Sequence, residues 1–386
     1  MNTEIELKYL VVNDQLIEKV SQFLLSKQYA YVTEEKNLAN CYFDTSSLSF
    51  REHDFGLRVR NQNGQREQTI KTAGQVIGGL HKRPEYNIDI DSDFPELSLF
   101  PLSIWPKNID VEKWQEQLVV LFSTDFSRYT WTITYQDSVI ELAFDEGVIS
   151  SSGRESSICE IELELVSGKE QGLLDLAKEL ACVLLMRPGT KSKAARGYQL
   201  YHNQADNLAV IEFPFVPIKS QYTCPEAFIS GTTFCLSHLQ HVVDVYFCEP
   251  SLNRLSQLNH ALLLCRHAFW LFDDLMTDKQ RLIRKEISHF LTLLAWENNA
   301  KNLHEIITKS GLYRKKIEYN QALVKQLKLE ERRFPSAEQV LELLQSSRFN
   351  QLQVSLLELI LSGEQCLNVQ EGLQRSIQKF SANALE

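Results

Sequence analysis

MNTEIELK, residues 1–8, opens the chain with charged and apolar side chains on alternate positions. Because successive side chains of a β-strand point to opposite faces, Glu4, Glu6 and Lys8 would share one face of a strand. A single strand of this kind is typical of the solvent-exposed edge of a sheet. The pattern recurs in CEIELEL, residues 159–165, where glutamates again alternate with apolar residues. Two such strands predict a barrel whose interior is polar and filled.

The composition is that of an ordinary soluble protein large enough for two domains. The chain has 386 residues, of which 44% are hydrophobic and 23% charged. Its formal net charge of -10 argues against a general nucleic-acid binder. No uncharged apolar run approaches about 18 residues, so no membrane span is expected. The first residues also lack the basic and apolar regions of a secretion signal.

The eight cysteines are scattered along the chain. None belongs to a CxxC pair or has a histidine at the spacing of a zinc site. This pattern favours free thiols in a reducing compartment, and we therefore expect a cytoplasmic location.

The first half of the sequence reads mainly as short strands separated by turn residues. Alternating runs predict strands at 4–11, 40–44, 56–60, 67–71, 83–89, 129–135, 139–145 and 157–166. Helical spacing is rarer there and predicts helices at 14–27, 111–122 and 169–185. This half carries 21 Lys and Arg against 30 Asp and Glu up to residue 200, a balance of -9.

The second half reads as helical and is nearly neutral, with 19 Lys and Arg against 20 Asp and Glu, a balance of -1. Long runs with few helix breakers predict helices at 254–274, 279–297, 317–329 and 336–361. We therefore expect an α+β protein with a strand-rich domain at 1–203, a linker at 204–220 and a helical domain at 221–386.

Basic side chains of the strand-rich half show the same two-residue spacing as the acids. Arg58 and Arg60 flank one apolar residue, and further alternating sets are Thr69 with Lys71, His81 with Arg83 and Glu85, and Lys191 with Lys193. One pair alone is typical of a solvated strand face. Together with the acids, they predict an interior that holds both signs of charge, where unpaired groups would be costly. A polyanion carrying a divalent metal satisfies both, since carboxylates bind the cation and Arg and Lys bind phosphate oxygens.

Eight motifs in a fixed order resemble those of CYTH domains, the triphosphate tunnel metalloenzymes. They are MNTEIELK (1–8), NCYFDT (40–45), GLRVR (56–60), TIK (69–71), HKRPEYN (81–87), ELAFDEG (141–147), CEIELEL (159–165) and KSKAARGY (191–198). The stretch 69–87 is especially similar to the bacterial two-domain inorganic triphosphatases, in which a helical CHAD domain follows the CYTH domain. The resemblance covers residues 1–203.

The resemblance implies an eight-stranded antiparallel β-barrel that forms a tunnel, followed by an all-α bundle. Inorganic triphosphate would lie in the tunnel and be hydrolysed to pyrophosphate and phosphate, with Mg²⁺ or Mn²⁺ on the acidic side. Metal-binding positions are Glu4, Glu6, Asp145, Glu160 and Glu162, and the last two would also hold the attacking water. Phosphate-binding positions are Lys8, Arg58, Arg60, Lys71, Arg83, Arg128 and Lys193, with Glu160, Glu162, Lys8 and Arg58 expected to be catalytic. Alternation adds Glu85, Glu164 and Lys191 to the tunnel.

Two other functions stay open at this point. The substrate could be an organic triphosphate, such as thiamine triphosphate or a nucleotide, or the protein could bind polyphosphate without turnover. The clustered carboxylates argue against the second function, because phosphate binding alone gains little from them.

The helical half resembles a CHAD domain by its position and pattern, and that family implies polyphosphate as a candidate partner. His260 fits the family's histidine, but Leu263 stands where a base is common. Together with the near-neutral charge, this favours a structural or regulatory bundle over a polyphosphate-binding domain.

Overall fold

A computed structural model describes residues 2–62, 64–107, 109–205, 207–211, 214–308, 317 and 319–363. The chain forms two compact units, Met1–Asp206 and Asn207–Glu386. We call them the barrel unit and the helical unit and treat each by itself.

The barrel unit is built on a closed, antiparallel sheet. Its strands are β1 (Asn2–Val11), β2 (Ala30–Thr45), β3 (Gly56–Gln62), β4 (Gln65–Lys71), β5 (Gln75–Ile77), β6 (Leu80–Ile90), β7 (Leu118–Tyr135), β8 (Ser138–Ser151), β9 (Arg154–Ser167) and β10 (Met186–Pro188). Eight of them follow the order β1-β9-β8-β7-β2-β3-β4-β6, and β6 pairs back to β1 to close the barrel. The short strands β5 and β10 add to β6 and β1. The expected eight-stranded barrel and the α+β class are therefore confirmed.

The alternation of β1 and β9 explains why this barrel has a charged interior. Leu7, Tyr9, Ile161 and Leu163 are fully or almost fully buried and lie between the charged positions. Helix α4 (Glu170–Leu180) packs against both strands. Burying these apolar side chains outside the barrel stabilises the strands and leaves their charged neighbours facing inward.

The other α-helices in the described part of the barrel unit are α1 (Leu16–Ser26), α2 (Ser49–Glu52), α3 (Val111–Glu116) and α5 (Lys193–Tyr201). The predicted helix at 111–122 is wrong beyond Glu116, because β7 begins at Leu118 and pairs with the end of β2. Strand pairing here overrides the helical spacing of the sequence.

Helix α5 corrects the interpretation of Lys191 and Lys193 as alternating strand residues. The Ser192 hydroxyl accepts a hydrogen bond from the backbone N–H of Ala195 at 3.1 Å, which caps the helix that begins at Lys193. Farther along α5, a Cβ on Gly197 would lie 2.1 Å from the Phe122 ring, so the helix approaches β7 closely.

The described part of the helical unit contains helices and no strands. Their bounds are α6 (Cys224–Cys248), α7 (Leu252–Leu271), α8 (Asp278–Leu293), α9 (Glu297–Ile307), α10 (Gln321–Glu331), α11 (Ala337–Gln345) and α12 (Ser347–Leu361). The single helix predicted at 336–361 is interrupted at Ser346, whose extended backbone ends α11 and whose hydroxyl caps α12. Among the described residues, no helix is long and apolar enough to cross a membrane.

Candidate active site

The barrel encloses a cavity of about 350 Å³ that is lined by side chains from all eight of its closing strands and from the start of α5. Most of the predicted site residues lie on it: Glu4, Glu6, Lys8, Arg58, Arg60, Lys71, Arg83, Glu85, Arg128, Glu162, Glu164 and Lys193. The inward direction of these side chains is the one that the alternation predicts. Glu6, Glu162 and Arg60 therefore share one enclosed space.

Three predicted residues lie elsewhere. Asp145 and Glu160 are completely buried behind the cavity wall, where they form ion pairs with the cavity-lining Lys193. Lys191 is exposed and donates a hydrogen bond to the side chain of Gln199 at 3.1 Å. Because Lys191 precedes the helix that carries Lys193, the two lysines do not share a face.

Two lysines neutralise the buried carboxylates beside the cavity. Lys193 Nζ lies 2.6 Å from Asp145 Oδ2, 2.5 Å from Glu160 Oε1 and 2.9 Å from Glu162 Oε1. Lys8 Nζ lies 2.8 Å from Glu160 Oε1 and also pairs with Glu162. Burial alone would raise the pKa of Glu162, but Lys193 and Lys8 outweigh it and hold that pKa well below its usual range.

Arg128 completes this cluster from β7. Its Nε and Nη2 donate to the two oxygens of Asp145, both at 2.7 Å, and Nη2 also donates to Glu162 Oε2 at 2.6 Å. Such a two-pronged contact fixes both the arginine and the carboxylate. We call Lys8, Arg128, Asp145, Glu160, Glu162 and Lys193 the paired cluster.

A second group of acids is not neutralised by ion pairs with lysine or arginine. Glu6 lies directly opposite Glu164 in the register of β1 and β9, and Glu164 lies opposite Glu141 in the register of β9 and β8. None of these three carboxylates forms an ion pair within the described ranges. Burial, followed by the charge of Glu162, raises the pKa of Glu6. Burial, followed by the charge of Glu4, raises the pKa of Glu164 to about 7. We call Glu6, Glu141 and Glu164 the unpaired acids.

The opposite wall, on β3, β4 and β6, is rich in cations. Lys71 Nζ lies 2.5 Å from Glu4 Oε2, and Arg58 Nη2 lies 3.5 Å from Glu85 Oε1. The Nε atoms of Arg58 and Arg83 are buried without a hydrogen-bond partner. A buried donor without an acceptor is costly, so these two atoms leave hydrogen-bonding capacity unused.

Arg60 shows the same excess of positive charge. Its Nε donates to Asn40 Oδ1 at 2.8 Å, and no carboxylate pairs with it among the described residues. Burial, with Arg58 and Arg128 nearby, lowers the pKa of Arg60 to about 9. The cavity therefore has an acidic wall and a basic wall, each with unbalanced charge.

Among the described residues, one group of three carboxylates has oxygens close enough together to hold a metal ion. Oxygens of Asp145, Glu160 and Glu162 lie within 4.8 Å of one another, but lysine and arginine already occupy that space. Glu6 and Glu164 offer further carboxylate oxygens on adjacent strands, and neither forms an ion pair with another described residue. Sequence reasoning missed Glu141, although it shares a face with Asp145 in ELAFDEG.

Comparisons with known proteins agree with this architecture. The sequence family described as the CYTH domain matches residues 2–198. An inorganic triphosphatase from Haemophilus influenzae is 36% identical over 211 residues, which are 53% of this chain and 56% of the relative. The match thus spans little more than half the length of that relative.

Two solved structures share lower similarity with this chain. A putative adenylyl cyclase from Hippeastrum, described as having a dominant triphosphatase activity, is 19% identical with a TM-score of 0.37, and covers 52% of this chain and 95% of its own. A putative adenylate cyclase from Bacillus halodurans is 21% identical with a TM-score of 0.29, and the match covers 47% of this chain and 90% of that protein. These values are too low to assign an activity. The family match spans about half of this chain, including both acidic strands and the basic wall, and the chain belongs to the CYTH domain family.

Proposed function

We propose that the barrel unit hydrolyses inorganic triphosphate to pyrophosphate and phosphate with the help of Mg²⁺ or Mn²⁺. The observation that carries this proposal is the enclosed cavity with unpaired acids on one wall and unsatisfied arginine donors on the other. The similarity to an inorganic triphosphatase supports the same reaction.

The basic wall would bind the phosphate chain. Arg58 and Arg83 each leave a buried Nε without an acceptor, and phosphate oxygens would satisfy both. Arginine suits this role because its planar guanidinium donates to two oxygens at once and stays charged. Lys71, between Glu4 and Glu85, would bridge the basic wall to the acids.

The unpaired acids would hold the divalent cation. Glu6 and Glu164 face each other across adjacent strands, and Glu141 continues the row. A bound cation neutralises the phosphate oxygens and makes a nearby water more acidic. The proposal therefore keeps Glu6 from the predicted metal ligands, adds Glu164 and no longer relies on Asp145 and Glu160.

The paired cluster would orient the attacking water rather than remove its proton. Glu162 reaches the cavity, and Lys193, Lys8 and Arg128 keep it ionised. A carboxylate with a low pKa accepts a hydrogen bond well but is a weak base. Positioning and charge neutralisation supply most of the acceleration in phosphoryl transfer, so a strong protein base is not required.

The lining favours an inorganic substrate over an organic one. Among the described lining residues, Tyr42, Phe126 and His81 carry aromatic rings, and most of the others are charged or polar. A nucleobase or thiazolium ring would need an apolar or aromatic surface. Non-catalytic polyphosphate binding is the weaker alternative, because the unpaired acids would repel a polyanion unless a cation lies between them.

For the helical unit we favour a structural or regulatory role over polyphosphate binding. Several of its arginines are already paired with acids: Arg254 with Glu249, Arg284 with Asp273 and Arg348 with Glu286.

We also propose a cytoplasmic location, because scattered free cysteines are typical of a reducing compartment.

Phosphate release from inorganic triphosphate, ATP, thiamine triphosphate and long-chain polyphosphate would separate these functions. We expect rapid release from inorganic triphosphate with Mg²⁺ or Mn²⁺ and none with a chelator. Faster turnover of ATP or thiamine triphosphate would favour the organic alternative. Tight binding of polyphosphate without release would favour the non-catalytic one.

A further inference from the structure

The helical unit contains an apolar cavity that no part of the proposed hydrolysis uses. Its volume is about 730 Å³, and it lies among α6, α7, α8 and the segment that precedes α6. Val216, Phe228, Leu264 and Leu271 are among its apolar walls, and it opens to solvent where Leu271 is 68% exposed. Cavities of about 300–1,000 Å³ with apolar walls and a few polar groups are typical of small-molecule sites.

The polar groups of this cavity are almost all basic. Arg266, His267 and Arg284 line it, and none of the described lining residues carries a carboxylate. Arg284 is held by Asp273, with Nη1 2.7 Å from Oδ1. The side chains of Arg266 and His267, in contrast, form no hydrogen bond or ion pair with any residue that the structure describes. The charge at the cavity is therefore positive and in part unbalanced.

We propose that this cavity binds a single-chain alkyl anion, with the tail among the apolar walls and the carboxylate or phosphate head at Arg266. Apolar burial favours the tail, and the guanidinium donates charge-assisted hydrogen bonds to either head. The ligand is a free amphiphile whose head is either a carboxylate or a phosphate.

Gly231 offers a direct way to close the cavity. It is buried in α6, and outside its own helix the described atom nearest to a Cβ built there is Val216 Cγ1 at 3.8 Å. An alanine therefore fits in ordinary contact, whereas a leucine would extend into the space assigned to the tail. Ala227, a half-buried residue one helical turn earlier, provides a second position for the same purpose.

Equilibrium dialysis of the full chain against dodecanoate, dodecyl phosphate and dodecanol, each below its micelle concentration, tests the proposal. We expect saturable binding of an anion at one site per chain, at least tenfold tighter than that of dodecanol. The tighter of the two anions identifies the head. In the series octanoate, decanoate and dodecanoate, affinity should rise by about fourfold per buried methylene.

Variants locate the site. Gly231→Leu should abolish binding while Gly231→Ala retains it, and Arg266→Gln should remove the preference for anions over dodecanol. Ala227→Phe should also weaken binding, which keeps the test valid if Gly231→Leu does not fold by circular dichroism. Equal affinity for dodecanol, or unchanged binding in the filled variants, would overturn the proposal. A concentration-dependent dimer that Gly231→Leu converts to monomer would also overturn it, because a second copy would then occupy the cavity.

Discussion

Glu6 and Glu164 occupy directly opposite positions on β1 and β9, and neither carboxylate has a cationic partner in the described part of the chain. Like charges placed opposite each other destabilise a sheet. The barrel keeps this arrangement although Lys8 and Lys193 neutralise the acids farther along the same strands. On this unequal distribution of counter-charges we base the proposal that the cation binds at this pair.

Replacing Glu6 with glutamine should raise the melting temperature of the metal-free protein and abolish the increase that Mg²⁺ causes. In chelator, Glu6→Gln removes a repulsive charge, so its melting temperature should exceed that of the unmodified chain. Added Mg²⁺ should stabilise the unmodified chain and leave Glu6→Gln unchanged. Thermal unfolding monitored by circular dichroism measures both effects, and Glu35→Gln, at an exposed position of β2, is the matched control. A Mg²⁺-induced shift in Glu6→Gln equal to that of the control would contradict the assignment.

Binding of Mg²⁺ should weaken as pH falls through about 7, the pKa to which Glu164 is raised. Below this pH Glu164 carries a proton that the cation must displace, whereas above it the carboxylate is free to bind. One released proton corresponds to a change of about tenfold in apparent affinity per pH unit. Titration calorimetry at pH values from about 5.5 to about 8.5, a range that brackets the pKa of Glu164, should show this slope. Glu164→Gln should bind more weakly and lose the slope near pH 7, and an unaltered slope would remove Glu164 from the site.

Arg58→Ala should lower kcat/KM for triphosphate by about 10- to 100-fold. The loss corresponds to one charge-assisted hydrogen-bonding group, worth about 1.5–3 kcal/mol. Arg58→Lys should recover part of this loss through charge but not through the two-pronged geometry. Lys191→Ala is the control, because Lys191 is exposed and outside the cavity. An equal loss in Lys191→Ala would show that the lysine moves into the site.

Lys193→Met should destabilise the barrel unit by about 3–5 kcal/mol, because it leaves buried carboxylates without their partner. Lys193 lowers the pKa values of Asp145, Glu160 and Glu162. Groups with lowered pKa values contribute stability above their unfolded values, and this contribution is lost as pH falls through the folded values. The unmodified chain should therefore lose stability below about pH 4, and Lys193→Met should lose less. Urea unfolding at several pH values measures this. A variant as stable as the unmodified chain at pH 7 would show that the ion pairs are not formed.

Much of the fold could be predicted from the sequence because strand alternation is a local property. The charged faces of β1 and β9 follow from residue spacing alone, and they place Glu6 and Glu162 inside the barrel. The first part of β2 could not be recognised, since Glu34, Glu35 and Lys36 break the apolar pattern and are held by pairing with β7. Lys193 enters the cavity from α5, a helix positioned by its Ser192 cap, by close contact at Gly197 and by the hydrogen bond from Tyr198 to Asp44.

The separation of the acids into paired and unpaired groups could not be predicted in the same way. It depends on two lysines that are distant in sequence from the glutamates of β9. Lys8 of β1 lies 152 residues from Glu160, and Lys193 of α5 lies 31 residues from Glu162. In sequence, Glu160, Glu162 and Glu164 are equivalent members of one alternating row. Only the three-dimensional position of Lys8 and Lys193 distinguishes Glu164 from the other two.

Phosphorus NMR of inorganic triphosphate incubated with the full chain tests the central claim most directly. With Mg²⁺ the triphosphate signals should give way to pyrophosphate and phosphate in equal amounts, and chelator or Glu6→Gln should stop the conversion. Unchanged triphosphate in both Mg²⁺ and Mn²⁺, or full activity in Glu6→Gln, would contradict the account.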